Sequence, residues 1–296
     1  MKRIVVTGAA GDAASQLRPH LLVRGYRLHC IDIGPTTTSR GETAVVADVT
    51  DRAAMTREFA GMDAVVHLAA CTTDADWPDQ VKLSVEGTIE VFEAARACGI
   101  ERVVYASTNH VVGLYPRPPH GPARGSREVL LPDSRYGVAK AFGESVSALF
   151  AYKYAMRVLV IRIGNVNSHP VDRRRLGIWL SPRDFAQLVA LGIEHPSVRF
   201  EIVYGISDRT GRHYDNATAY ALGFRPQDGV VEPEIEAKVL REDPPPAAGS
   251  AAAASVTELS LGGSFAAEEF VGSAARLMEA MRKPAPASCE GGAEPG

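Results

Sequence analysis

The run Val5-Val6-Thr7-Gly8-Ala9-Ala10-Gly11-Asp12-Ala13-Ala14 constrains this chain more than any other stretch. It joins a short apolar run, Ile4–Val6, to an amphipathic one beginning at Asp12, so two glycines stand where a buried strand turns into a helix. Glycine lets the backbone turn sharply there and lets a ligand come close without a Cβ in between. The unpaired N–H groups opening the helix face that approach, and an anionic group such as a pyrophosphate satisfies them. Gly8, Ala10, Gly11, Asp12 and Ala13 are the candidate phosphate-side residues, while Ala14 is small enough for helix and strand to pack closely. A lone glycine turn of this kind has many uses, so its surroundings decide the reading.

Asp32 ends the next apolar run, Leu28–Asp32, about 20 residues after the glycines, where a carboxylate can accept both ribose hydroxyls of a dinucleotide. A 2′-phosphate would be repelled there, which favours NAD over NADP. Asp48, after the run Ala44–Ala47, is placed to meet the adenine, although a helix cap would use it equally well. Further apolar runs lie at Ala64–His67, Val103–Ala106 and Val158–Ile163, and amphipathic stretches at Asp12–Arg24, Arg52–Phe59, Asp79–Ala97 and Tyr136–Tyr154 separate them. That alternation predicts right-handed βαβ units and an α/β fold, a Rossmann-type doubly wound parallel sheet with a small C-terminal substrate-binding lobe. Pro19 falls inside the first helix and should bend it.

Residues 1–164 are expected to form the nucleotide-binding core and residues 165–242 a small substrate lobe with returning elements. In the latter, Ser181-Pro182-Arg183-Asp184 has the form of a helix start with a returning carboxylate. A strand is expected at Val198–Tyr204 and a short helix at Ala217–Leu222, capped by Asp215-Asn216. From Asp243 the composition turns to proline, alanine, glycine and serine, which predicts a low-complexity extension over 243–296 with one docked helix near Phe265–Met281.

The chain has 296 residues, 46% of them apolar, enough for one large core with a smaller lobe. Its formal charge of −3 gives no field that attracts nucleic acid or an anionic membrane surface. The first apolar run is too short for a signal peptide or a span. Cys30, Cys71, Cys98 and Cys289 lack metal-site or redox spacing, so reduced thiols, a cytoplasmic location and no metal are expected.

Tyr136 and Lys140 lie four residues apart at the start of a helix, which puts both on one face. A phenol with an ordinary pKa of about 10 is a poor base at neutral pH. A neighbouring ammonium, helped by the positive charge of an oxidised nicotinamide, should stabilise phenolate, which can then take a proton from a substrate hydroxyl. The pattern is common on amphipathic helices, but here the strand Val103–Ala106 ends in Ser107-Thr108-Asn109-His110 just upstream. Ligands bind at carboxyl ends of such strands, so Thr108 is placed to hydrogen-bond the reacting oxygen beside Tyr136. Ordinary turn chemistry accounts for Asn109 and His110 as readily as a site does. Arg173, Arg174 and Arg175 follow the sixth strand on the same side, where one inward arginine could grip a carboxylate with two parallel hydrogen bonds.

Val6–Gly11, Asp32, His67-Leu68-Ala69-Ala70, Ser107-Thr108, Tyr136–Lys140 and Arg162–Val166 together resemble the extended short-chain dehydrogenase/reductases, which include NAD-dependent sugar epimerases and dehydratases. The resemblance covers residues 1 to about 230. It implies NAD as cofactor, with Ile33, Val49, Leu68, Ala69, Ala70, Ser84, Ser107, Tyr136, Lys140 and Ile163 also along the dinucleotide. Within that family, Ala106–Gly113, Tyr136–Glu144, Arg174 with Leu176 and Trp179, Ser181–Phe185, Leu222–Asp228 and Gly262-Gly263-Ser264-Phe265 are most similar to uronate dehydrogenases. This narrower resemblance implies oxidation of glucuronate or galacturonate at the anomeric carbon to an aldarolactone. It places Thr72, Thr108, Asn109, His110, Asn165 and Arg174 around the sugar, and implies a homo-oligomer through the helices containing residues 79–97 and 136–154. Thr72, Thr108 and Asn165 stand where those enzymes tend to carry serine, and Asn165 matches the sugar epimerases instead. The alternative is therefore a sugar or nucleotide-sugar epimerase or dehydratase that keeps its NAD bound.

Overall fold

Strands that are buried on both faces need aliphatic residues at every position rather than at alternate ones, and the short apolar runs of the first half behave accordingly. A computed structural model of the chain describes residues 1–73, 75–119, 124–207, 213–229 and 231–282. The strands are β1 Arg3–Thr7, β2 Arg27–Asp32, β3 Glu42–Val46, β4 Ala64–His67, β5 Arg102–Thr108, β6 Arg157–Ile163, the short pair β7 Asn165–Val166 and β8 Trp179–Leu180, and β9 Phe200–Gly205. Seven of them form one sheet in the order β3-β2-β1-β4-β5-β6-β9, and every neighbouring pair is parallel. The chain reverses its direction of winding between β1 and β4, which opens a crevice beyond their carboxyl ends.

Helices cover both faces: α1 Asp12–Val23, α2 Arg52–Phe59, α3 Trp77–Asp79, α4 Gly87–Ala97, α5 Arg135–Lys153 and α6 Pro182–Glu194. Alternate residues of one strand feed the two layers. Ile4 and Val6 pack with Leu17, Leu21, Phe185 and Val189 from α1 and α6. Val5 packs with Met55, Phe59, Val91, Phe92 and Phe150 from α2, α4 and α5. Each such side chain contributes about 1.5–3 kcal/mol when fully buried.

The helix expected over Asp79–Ala97 starts at α3, where the Asp76 side chain accepts from Asp79 N, and passes through a π-helical stretch, Gln80–Glu86, before α4. Pro19 sits within α1 without ending it. Beyond the sheet lie α7 Ala217–Ala221, α8 Pro233–Glu242, α9 Val256–Leu259, α10 Ser264–Ala267 and α11 Ala274–Arg282.

The segment after Asp243 departs from the expected extension. Arg117 N donates to Leu259 O at 2.7 Å, Leu261 N to Tyr115 O at 2.9 Å and Gly262 N to Gly113 O at 2.7 Å, so this stretch pairs with the chain that follows β5. Leu261 is buried in a third apolar cluster with Val111, Val112, Ile178 and Tyr214. One buried leucine and three main-chain hydrogen bonds outweigh the composition of the flanking residues. The single helix expected over Phe265–Met281 is instead α10 and α11, parted where Glu269 takes a φ of 53°. Residues 283–296, with Cys289, lie outside the described residues. Among the described residues, no helix is long and apolar enough to cross a membrane.

Candidate active site

The glycine turn and the carboxyl ends of β1, β2 and β4 build one end of an open cleft of about 650 Å³, within the ordinary range for small-molecule and cofactor sites. Gly8 has a φ of 69°, and a Cβ there would lie 2.6 Å from Ala69 N, so the β1 and β4 loops meet only because residue 8 is glycine. Helix α1 follows Gly11 with no side chain capping it, and Gly11, Asp12, Ala13 and Ala14 line the cleft with their first-turn amides at its wall. Asp32 is fixed at the end of β2, where its Oδ2 accepts from Ala10 N and its Oδ1 from Gly34 N, both at 3.0 Å. Ile33, Asp48, Val49, Leu68, Ala69, Ala70 and Ile163 complete this end. Asp48 Oδ1 also accepts from Thr50 N at 2.9 Å. An uncapped helix start, a close-approach glycine and an immobilised carboxylate fit a dinucleotide with free ribose hydroxyls.

Ser84 and Ser107, expected along that dinucleotide, are not among the residues lining the cleft. Ser84, in the π-helical stretch, accepts from Cys71 N at 3.1 Å and donates to Gln80 Oε1 at 3.1 Å, which ties down the loop carrying Thr72. Ser107 points beneath the sheet end and donates to Glu144 Oε1 at 2.6 Å. Ala10 stands at the rim, where its N–H orients Asp32.

Thr72, Thr108, His110, Tyr136, Asn165 and Arg174 come together at the other end of the cleft. Ser134 caps α5 by accepting from Gly137 N at 3.1 Å, which starts the helix so that Tyr136 falls in its first turn and Lys140 in its second. The Tyr136 phenol and the Thr108 hydroxyl both line this end. Burial pushes that phenol up to about 12, and the neighbouring Thr108 hydroxyl opposes the rise only in part. No lowering by Lys140 is resolved at this phenol. Lys140 Nζ donates to Ala106 O at 2.7 Å beneath the cleft, 5.0 Å from the centre of the Tyr105 ring, and burial pushes it down to about 7.

The three consecutive arginines separate. Arg173 pairs with Glu258 at 2.7 Å, and Arg175 reaches the cleft wall but is tied to Asp172. Arg174 turns inward, where burial lowers its guanidinium from the ordinary value. Its Nε and Nη2 both donate to Leu261 O, at 3.1 and 3.0 Å. The Asn109 amide, oriented by its hydrogen bonds, accepts from Arg174 Nη2 at 3.2 Å and donates to Ile163 O at 3.1 Å. Asn109 therefore acts behind Arg174 rather than in the cleft wall. Among the described residues Arg174 forms no ion pair, and Asn165 Oδ1, at the same end, is buried with no partner. Nε and Nη2 are already engaged, so the two parallel bonds expected of an arginine fork reduce to the two N–H groups of Nη1.

Three residues of this end were not foreseen as parts of it. Asp133, with a fully buried side chain, accepts from Ser134 Oγ at 2.9 Å and pairs with His110 Nδ1 at 2.7 Å. Ser264 and Phe265, from the returning C-terminal stretch, line the cleft, and the Phe265 ring centre lies 4.3 Å from that of His110. The only signal for the last two was the Gly262–Phe265 resemblance, while Asp133 reads in sequence as a loop residue before a cap.

Residues 4–177 match the NAD dependent epimerase/dehydratase family. A uronate dehydrogenase of Pseudomonas putida is 35% identical over 230 residues, which cover 76% of this chain and 84% of that protein. An NAD-dependent glucose-6-phosphate dehydrogenase of Haloferax volcanii is 33% identical over 259 residues, covering 81% of this chain and 98% of that one. The crystal structure of a glucuronic acid dehydrogenase from Chromohalobacter salexigens superposes with a TM-score of 0.82 at 30% identity, covering 93% of this chain and 98% of that one.

Proposed function

The chain belongs to the NAD dependent epimerase/dehydratase family, and on that premise we propose that this NAD-dependent oxidoreductase oxidises a hexuronic acid, glucuronate or galacturonate, at its anomeric carbon to an aldarolactone. The observation that carries the reading is Arg174: a half-buried guanidinium lining the cleft beside Tyr136 and Asn165, without an ion-pair partner among the described residues. A buried cation is costly unless a counter-charge meets it, and a substrate carboxylate supplies one.

NAD, when bound, supplies the acceptor for the hydride that leaves C1. Gly8, Gly11 and the first turn of α1 hold its pyrophosphate, and Asp32 takes the adenosine ribose hydroxyls. Tyr136 takes the proton of the C1 hydroxyl as the C1–H bond breaks, and Thr108 hydrogen-bonds the same oxygen. The ring oxygen remains on C1, so the product carbonyl is that of a lactone. Lys140, braced by Ala106 O, lies one turn behind Tyr136, and its positive charge favours phenolate when protonated. Nη1 of Arg174 receives the substrate carboxylate, Asn165 accepts from a sugar hydroxyl, and His110, held by Asp133, lines the opposite wall.

Purified protein given NAD and either uronate should release NADH. Turnover of only neutral aldoses or of glucose 6-phosphate would replace the substrate assignment, and a protein that purifies with NAD and releases no NADH would be an epimerase or dehydratase. Two further readings accompany the proposal. Val138, Phe142 and Leu149 on α5 and Val81 beside it are exposed, which supports a second copy of the chain docking there. Cys30, Cys71 and Cys98 are free thiols, which supports a reducing compartment such as the cytoplasm.

A further inference from the structure

The returning stretch reaches the sugar end of the cleft at two adjacent glycines, and each fits against a different part of the site. A Cβ on Gly262 would lie 1.9 Å from Asp133 Oδ2, the carboxylate that holds His110. A Cβ on Gly263 would lie 2.6 Å from both Cδ and Nε of Arg174. Gly263 takes a φ of 65° and a ψ of −127°, a conformation that suits glycine and strains any residue with a Cβ. Two residues earlier, Leu261 O accepts from Nε and Nη2 of Arg174, and two residues later the Phe265 ring lies against His110.

We propose that Gly263 is a positioning residue for Arg174 and thereby sets the preference for acidic over neutral sugars; the identity of the acid rests on the uronate reading. Nε and Nη2 are engaged by Leu261 O and Asn109, which leaves Nη1 to meet the substrate. Its direction is then decided by how the rest of the side chain is held. The stem lies directly on the Gly263 backbone, so a methyl group inserted there displaces Cδ and Nε and swings Nη1 away from its line to a carboxylate. Charge-assisted hydrogen bonds weaken steeply with such misalignment. A neutral sugar makes no such bond and does not register the change.

The test is a double-mutant cycle at saturating NAD, with glucuronate and a neutral aldose of the same ring size as substrates. Gly263→Ala should raise KM for glucuronate about tenfold or more, change kcat less than about twofold, and leave the neutral aldose within about twofold. In an Arg174→Ala background it should cause no further loss of discrimination. Gly249→Ala controls for backbone strain alone, since Gly249 has a φ of 77° and nothing within 4 Å of a built Cβ; it should leave both substrates unaffected. Equal losses on both sugars, or a Gly263→Ala effect that persists in full without Arg174, overturns the proposal. Should Gly263→Ala not fold, hydrogen exchange decides. An aldarate, which has no C1 hydride to lose, should protect the amides of Gly262–Phe265 in the wild type but not in Arg174→Ala, and no protection in the wild type overturns the proposal. A wild type that accepts glucose 6-phosphate but not uronates sinks only the uronate reading, and the cycle is then run on that substrate. One that accepts neutral aldoses alone sinks both.

Discussion

Tyr136 and Lys140 share a face of α5, but burial moves each away from its charged form. The phenol therefore depends on its surroundings at the moment of proton transfer. Tyr136→Phe should lower kcat by about 10²–10⁴-fold while leaving NADH binding, followed by its fluorescence, unchanged. Arg174→Ala should raise KM for uronates at least about tenfold and barely alter neutral aldoses, a difference that steady-state kinetics on both classes measures. His67 gives a pH signature. It is fully buried between Thr7 at 2.7 Å and Thr88 at 3.2 Å, and burial, aided by the Lys140 charge, pushes it down to about 3. The unfolded chain, with an ordinary value of about 6.5, binds that proton first. The stabilisation is complete above about 6.5 and is lost progressively as pH falls towards the folded value. Urea unfolding between pH 7 and about 4 should show this slope, and His67→Gln should flatten it. At this scale the sequence disclosed the glycine turn, Asp32 and the Tyr136–Lys140 pair, because each is defined by spacing within one element. Spacing did not separate Arg173, Arg174 and Arg175, and only the family resemblance singled out Arg174, because their fates depend on Glu258, Leu261 and Asp172, two of them far along the chain.

Among the elements, β5, β6 and α5 are joined by a buried network. Arg162 donates from Nε and Nη2 to Glu144 at 2.9 and 2.8 Å, and Ser107 donates to the same carboxylate. Removing one partner of such a pair leaves an uncompensated buried charge, so Glu144→Gln should cost about 3–5 kcal/mol in urea unfolding. Ser134→Ala, which removes the α5 cap, should cost about 1 kcal/mol. Strands were legible because full burial demands unbroken aliphatic runs, and the two edge strands were displaced, β3 starting at Glu42 and β9 at Phe200. Capping was harder to assign. Asp184 does not return to its own helix start but accepts from Ser207 Oγ and Gln227 N. Of the Asp215-Asn216 pair, Asp215 caps Ala217 N, while Asn216 bonds both backbone groups of Tyr204. Tertiary partners took these polar side chains, and local sequence cannot name a partner that far away.

For the whole molecule, the exposed apolar stripe of α5 carries a prediction of its own. Phe142→Glu should convert a dimer to a monomer in light scattering at micromolar concentration, and an unchanged mass would exclude that face as the contact. The C-terminal stretch was the least legible part, since its composition resembles a linker and its function depends on contacts with Gly113, Tyr115 and Arg174, all distant in sequence. That arrangement also orders events during synthesis. The wall proposed for the dinucleotide comes mainly from the first 70 residues, whereas the end proposed for the sugar is lined by Ser264 and Phe265. The last residue of the proposed nucleotide wall, Ile163, therefore leaves the ribosome well before Ser264 and Phe265 do. Proteolytic nicking near residue 250, or a bulky fusion close behind α11, would then yield an enzyme that still takes up NAD but has lost its ability to tell one sugar from another.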